Sequence, residues 1–216
     1  MKPVDLRLYA ILDPEHTGGR ALARLAEAAL LGGATLLQLR DKHSGTHAFI
    51  ERAREVRTAL AGCIPLIIND RVDVALAAGA DGVHVGREDM RPADARRLLG
   101  PDAILGVTLK NRGDLDALDP HLVNYGCIGG VFSTTSKNNP DPPVGLDGLA
   151  RLRQQAAGAG LPVGAIAGIG EANADAVIGA GADGIAVISA IFRAEDVKAA
   201  TARLRRIVDE ALARRG

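Results

Sequence analysis

The sequence predicts an α/β fold of the (β/α)₈ TIM-barrel type, with residues 1–216 forming a single domain. Three observations predict it. Short, near-continuous apolar runs recur along the chain, as parallel strands covered on both faces require. Each run is followed by a stretch of helical periodicity rich in Ala, Leu and Arg. One turn is also used three times, as Leu31-Gly-Gly-Ala-Thr35, Ala78-Gly-Ala-Asp-Gly82 and Ala180-Gly-Ala-Asp-Gly184. In each of them Gly ends a helix in a left-handed cap and a strand starts a few residues later.

In chain order, the predicted strands are residues 6–12, 35–39, 66–69, 82–85, 104–109, 125–132, 163–167 and 184–188. Helical patterns include 21–31, 49–60 and 147–157, and an amphipathic segment at 194–215 closes the ring. Eight such units leave about 27 residues each, close to the smallest size that holds a strand, a helix and two turns. An open doubly wound sheet is the alternative, but no Gly-x-Gly-x-x-Gly follows the first strand. No linker or shift of composition divides the chain.

Composition narrows the function classes. Hydrophobic residues make up 47% of the chain and aromatic residues only 2%, so the core is aliphatic. Lys and Arg together number 26, as do Asp and Glu, which gives no concentrated positive field for nucleic acid. No apolar run approaches the roughly 20 residues that span a bilayer, and no leader pattern opens the chain. The expected location is the cytoplasm, with Cys63 and Cys127 as buried, reduced thiols. The sequence is compatible with a homo-oligomer.

In a barrel, function gathers where strands end and βα loops begin. Gln38-Leu-Arg-Asp-Lys42 lies at such an end, and strand alternation puts Gln38, Arg40 and Lys42 on one face, with Leu39 and Asp41 on the other. Two cations beside a glutamine suit a polyanion; a strand end salt-bridged through Asp41 is the alternative. Asp70 closes the third strand and Asp89 lies just beyond the fourth, within reach of one hard cation such as Mg²⁺. Either could instead cap the helix that follows it. After the sixth strand, Gly129-Gly-Val-Phe-Ser-Thr-Thr-Ser-Lys137 offers hydroxyls and a lysine for a phosphate, and a Pro-rich stretch at 138–143 could form a lid. Ala167-Gly-Ile-Gly170 and Ile188-Ser-Ala190 follow the last two strands, where barrels often bind phosphate. His84, within a strand run, reads as packing.

These motifs, in this order, resemble the thiamine-phosphate synthase family from about Leu6 to the end of the chain. The resemblance implies an enzyme that joins 4-amino-5-hydroxymethyl-2-methylpyrimidine diphosphate to a thiazole phosphate, or its carboxylate, and releases diphosphate. It implies small-molecule substrates, a Mg²⁺ cofactor held by Asp70 and Asp89, and a pyrimidine diphosphate site of Gln38, Leu39, Arg40, Asp41, Lys42, Asn69 and Lys137. Thr108 stands where the family usually has a serine on the pyrimidine. Thr134, Thr135, Ser136, Gly168, Ile188 and Ser189 would seat the thiazole phosphate. Arg40, Lys42 and Lys137 would act catalytically by neutralising the leaving diphosphate, and no protein nucleophile is needed. Arg40→Ala or Asp89→Ala should lower coupling on the order of 10²-fold with the fold intact. Departures from the family pattern are Gly130 for Pro, Ser133 for Pro, Ser136 for Thr, and Leu109-Lys110 where a small residue and His are common. The rivals are a thiazole tautomerase, which needs neither the metal carboxylates nor all the cations, and a non-catalytic thiazole-phosphate-binding barrel.

Overall fold

The computed structural model describes residues 3–136 and 141–216. Its strands are β1 (Leu8–Leu12), β2 (Leu36–Leu39), β3 (Leu66–Asn69), β4 (Gly82–Val85), β5 (Ile104–Leu109), β6 (Tyr125–Ile128), β7 (Val163–Ile166) and β8 (Gly184–Val187). They form a closed barrel in sequence order, every neighbour parallel, with β1 pairing β8. The connecting helices are α1 (Leu22–Leu31), α2 (Thr46–Leu60), α3 (Val72–Ala78), α4 (Pro92–Leu99), α5 (Arg112–Asp116), α6 (Gly145–Gly158) and α7 (Ala174–Gly179). A single-turn helix, α8 (Ser189–Phe192), follows β8, and α9 (Val197–Arg215) packs back against α1 and α7. The predicted (β/α)₈ barrel is therefore the observed one.

Strand alternation sorts the aliphatic side chains into two cores. Leu8, Leu12, Leu37, Leu39, Ile68 and Ile185 point outward into the layer beneath the helices, each fully buried. Tyr9, Ile11, Leu36, Ile67, Tyr125 and Ala186 point inward and fill the barrel. Burying each large side chain contributes roughly 1.5–3 kcal/mol, so two continuous layers are the main force holding the ring closed. Close strand packing also requires glycine: a Cβ on Gly184 would lie 1.7 Å from the Leu6 carbonyl oxygen, and one on Gly82 1.8 Å from that of Ile104.

At the end of the barrel away from the βα loops, one small motif recurs at each odd–even strand pair. Thr35, Asp81, Asn124 and Asp183 each stand immediately before an even-numbered strand. Their side chains accept the backbone N–H of Leu8 (3.0 Å), Leu66 (2.8 Å), Leu105 (2.9 Å) and Val163 (2.8 Å). Their own N–H groups donate to the carbonyls of those same four residues, at 2.7–2.9 Å. Each clasp grips one residue of the preceding strand twice. The repeated Gly turns feed three of the clasps with left-handed Gly33, Gly79 and Gly181, as predicted. Arginines from the helices brace them: Arg96 on Asn124, Arg153 on Asp183 and Arg205 on the Gly33 carbonyl.

Two sequence expectations change. The sixth strand ends at Ile128 rather than running on to 132, because Gly130 turns the chain at φ 74°. Val131 and Phe132 then bond sideways to the carbonyls of Ile166 and Ala167, each at 3.1 Å. Cys63 is exposed in the turn after α2, not buried; Cys127 is buried inside the barrel.

Candidate active site

The C-terminal ends of the strands surround a cavity of about 1120 Å³, the size of a site for a substrate pair. Alternation along β2 carries Gln38 into its wall, followed by Arg40 and Lys42 from the strand end, as the sequence predicts. Asn69, Asp70, Asp89, Thr108, Thr134, Thr135, Ser136, Gly168, Ile188 and Ser189 line the same cavity. Two residues expected at the substrate do not. Leu39 faces the outer core and is wholly buried there. Asp41 points away from the cavity, pairs with Arg52, and accepts the N–H groups of His43 (3.2 Å) and Ser44 (3.0 Å), so its carboxylate shapes the β2–α2 loop. Lys137 and 138–140 of the expected lid lie outside the described residues.

Arg40 and Lys42, the two cations that β2 brings to the cavity wall, are each held by a carboxylate. Arg40 pairs with Asp13, which follows β1 and is 1% exposed. The partner is thus Asp13 and not Asp41. Lys42 pairs with Asp70, and Asn69 Nδ2 donates to the same Asp70 oxygen at 2.6 Å. Asp70 takes a left-handed backbone (φ 61°), a conformation rare for residues other than glycine and found where a site imposes it. Burial, and next the Asp89 carboxyl within hydrogen-bonding reach, push the Asp70 carboxyl above the usual carboxylate range, against the opposing pull of Lys42. Asp89 Oδ2 also accepts the N–H of Gly86 at 2.8 Å. Neither aspartate caps a helix: the N-caps of α3 and α4 are Arg71 and Arg91, with no side-chain cap bond. Two carboxyls pressed together in a polar cavity fit a divalent cation. Among the described residues no cluster of three or more His, Cys, Asp or Glu exists, so such an ion would take its other oxygens from water and substrate, as Mg²⁺ commonly does.

The opposite rim is built from the loops after β1, β6, β7 and β8. Ser136 follows β6 and donates its hydroxyl to Ser189 Oγ at 3.1 Å, joining that loop to the start of α8. Its carbonyl accepts from His16 Nε2 (3.1 Å), while His16 Nδ1 accepts from Arg193 (2.9 Å), which fixes the neutral imidazole as the Nε2–H tautomer. The β1, β6 and β8 loops are thus tied at one point. Gly168 must be glycine: its φ is +65°, and a Cβ there would lie 2.5 Å from the Ser133 carbonyl oxygen. Ala167 beside it holds φ 93°, a second strained position on the rim.

The floor is a hydrogen-bonded chain. Gln38 Nε2 donates to the Tyr9 hydroxyl, Tyr9 and Tyr125 hydroxyls are 2.8 Å apart, and Tyr125 is 3.2 Å from His84 Nδ1. His84 Nε2 lies 2.9 Å from Thr108 Oγ1. Sequence reasoning missed Tyr9, Tyr125, Asp13 and His16, and read His84 as packing. The alternation that placed Gln38 inside would also have placed His84, since it lies between Val83 and Val85, which face the outer core.

A family model described as thiamine monophosphate synthase matches residues 8–191. The chain belongs to this family. It is 53% identical to the thiamine-phosphate synthase of Agrobacterium fabrum, covering 98% of both chains, and 48% identical to that of Chloroflexus aurantiacus, covering 95% of this chain and 94% of the other. A solved structure of thiamine phosphate pyrophosphorylase from Pyrococcus furiosus superposes with a TM-score of 0.84 at 37% identity, covering 96% of this chain and 98% of that one.

For a thiamine monophosphate synthase, the departures noted in the sequence have structural places. Lys110 lines the cavity, and its ammonium bonds Asp141 at 2.7 Å on the far side of the β6 loop. Its own N–H is held by Asp114, which also binds Arg87. Thr108 Oγ1 lies 2.9 Å from His84 Nε2 at the cavity wall. Ser136 uses its hydroxyl on Ser189. No helix among the described residues is long and apolar enough to cross a membrane.

Proposed function

We propose that this enzyme couples 4-amino-5-hydroxymethyl-2-methylpyrimidine diphosphate to a thiazole phosphate, or its carboxylate, and releases diphosphate. One observation carries the proposal: a single cavity joins the cations and aspartates of β2, β3 and β4 to the hydroxyl-rich rim of β6 and β8. The first set suits a diphosphate, the second a monophosphate, and the space between them suits two rings.

In this reading Arg40, Lys42 and Lys137 bind the diphosphate and offset its charge as the bond from the pyrimidine CH₂ carbon to oxygen breaks, the electron pair leaving with diphosphate. Asp13 grips one edge of the Arg40 guanidinium, so that side chain arrives already oriented. Lys42 exchanges Asp70 for phosphate oxygens. Asp70 and Asp89 would hold Mg²⁺, whose chemistry there is to neutralise the leaving group. The aminopyrimidine ring spreads the positive charge left on its CH₂ carbon, and the thiazole nitrogen then donates its lone pair to that carbon. Thr134, Thr135, Ser136, Gly168 and Ser189 hold the thiazole phosphate, with Ile188 against the ring. A protein nucleophile has no place in this sequence of steps. The substrates are diffusible small molecules, and the cytoplasm is where the enzyme would meet them.

Diphosphate release by the purified protein, with both substrates, with and without Mg²⁺, tests the reading. The expected result is release that needs both substrates and stops on chelation. Thiazole binding or isomerisation without release would replace the synthase by the tautomerase.

A further inference from the structure

We propose that Tyr9, Tyr125 and His84 are positioning residues that hold Gln38 and Thr108 in one fixed hydrogen-bond polarity, acceptor at Gln38 and donor at Thr108. The inference rests on the reading above and adds to it the basis on which an amino ring is chosen over an oxo ring.

The argument is a count of protons. Tyr9 and Tyr125 are buried, each with one hydroxyl proton. Burial raises both phenols well above their ordinary range, so neither proton is lost. Gln38 Nε2 donates to the Tyr9 oxygen, which directs the Tyr9 proton to the Tyr125 oxygen 2.8 Å away. The Tyr125 proton then goes to His84 Nδ1 at 3.2 Å. With Nδ1 accepting, the neutral imidazole carries its proton on Nε2 and donates to Thr108 Oγ1 at 2.9 Å. The Thr108 hydroxyl keeps its own proton for the cavity it lines. At the other end Gln38 Oε1 is buried with no hydrogen-bond partner.

The two ends are coupled. An acceptor at Gln38 with a donor at Thr108 satisfies every link. Turning one end alone leaves two protons, or none, at some link, and an unmade buried hydrogen bond is costly. A ring with an exocyclic amine and an unprotonated ring nitrogen complements these ends. A ring with a carbonyl and a ring N–H presents the reverse pattern. Sites built on buried polar groups reject such mismatches far better than apolar pockets do.

Two measurements decide it. Nitrogen-15 spectra of the imidazoles should show His84 as the Nε2–H tautomer; the Nδ1–H tautomer overturns the proposal, whatever the reaction proves to be. Calorimetry should compare the affinity for the aminopyrimidine monophosphate with that for its 4-oxo counterpart. Wild type should favour the amino form, and Tyr125→Phe or Tyr9→Phe should lower that ratio about tenfold or more, while Thr108→Ser should keep it. Two tyrosine variants guard against one that fails to fold. A ratio unchanged in folded variants, with both affinities falling together, means structural support only and overturns the relay. A wild type that binds neither ring overturns the functional reading, and the tautomer then decides the relay by itself.

Discussion

The Lys42 ammonium donates a hydrogen bond to the Asp70 carboxylate, so a cation proposed for the diphosphate holds an anion proposed for the metal. The pairing keeps Asp70 and Asp89 from standing as two uncompensated carboxyls before substrate arrives. Lys42→Ala should therefore act in opposite directions. Without substrate, Mn²⁺ affinity read by electron paramagnetic resonance should rise severalfold, because a competing cation is gone. Coupling should fall on the order of 10²-fold, because a charge on the leaving group is gone. Loss of Mn²⁺ affinity together with coupling would show that Lys42 supports the aspartates rather than competing for them.

Arg40 and Asp13 change what a mutation there reports. Sequence alone predicts that Arg40→Ala impairs coupling and spares the fold. The structure shows that it would leave a carboxylate of 1% exposure without its partner. Breaking such a pair costs about 3 kcal/mol. Thermal unfolding should show a marked loss for Arg40→Ala, largely restored in the double variant with Asp13→Asn. Coupling should stay low in both. Equal melting temperatures for wild type and Arg40→Ala would contradict the buried pair.

His16 ties the β1 loop to the Ser136 carbonyl and, through Arg193, to the end of α8. His16→Ala should raise KM for the thiazole phosphate by about three- to tenfold, the size of one lost hydrogen bond, and leave KM for the pyrimidine diphosphate near wild type. Equal changes in both would mean that the tie supports the whole mouth.

Asp41 should register as a stability residue with a pH signature. Burial alone would raise its carboxyl; the backbone and hydroxyl of Ser44, then Arg52 and the His43 N–H, outweigh it and lower the value below the ordinary 3.8. A lowered carboxyl stabilises the fold above its unfolded value, and that contribution is lost as pH falls through the lower folded value. Asp41→Asn should thus cost about 1–3 kcal/mol at pH 7. The gap to wild type should close below about pH 4. Steady-state KM values should not move, since Asp41 lies outside the cavity.

The ring was legible because periodicity is local: β3, β4 and β5 run over the residues that their apolar runs mark. β6 was overextended because Val131 and Phe132 are as apolar as a strand, and only Gly130 turns them out of it. Within the site, alternation correctly turned Gln38, Arg40 and Lys42 inward. Partners were not legible, because Asp13 meets Arg40 across 27 residues and His16 meets Ser136 across 120. Pairings of that kind depend on how strands are staggered round the barrel, which no spacing along the chain encodes. Cys63 misled for a simpler reason: its neighbours are apolar, but it sits in a turn.

The four clasps beneath the barrel bear on how such a ring finds its alignment. Thr35, Asp81, Asn124 and Asp183 each lock one odd strand to the next even strand at two points, through contacts only 15 to 27 residues apart along the chain. A slip of one residue would forfeit both bonds and turn every side chain of that strand to the wrong face. Each clasp therefore fixes the alignment of its own strand pair within the closed ring. Of the four seams between them, only the one joining β8 to β1 brings together residues far apart along the chain.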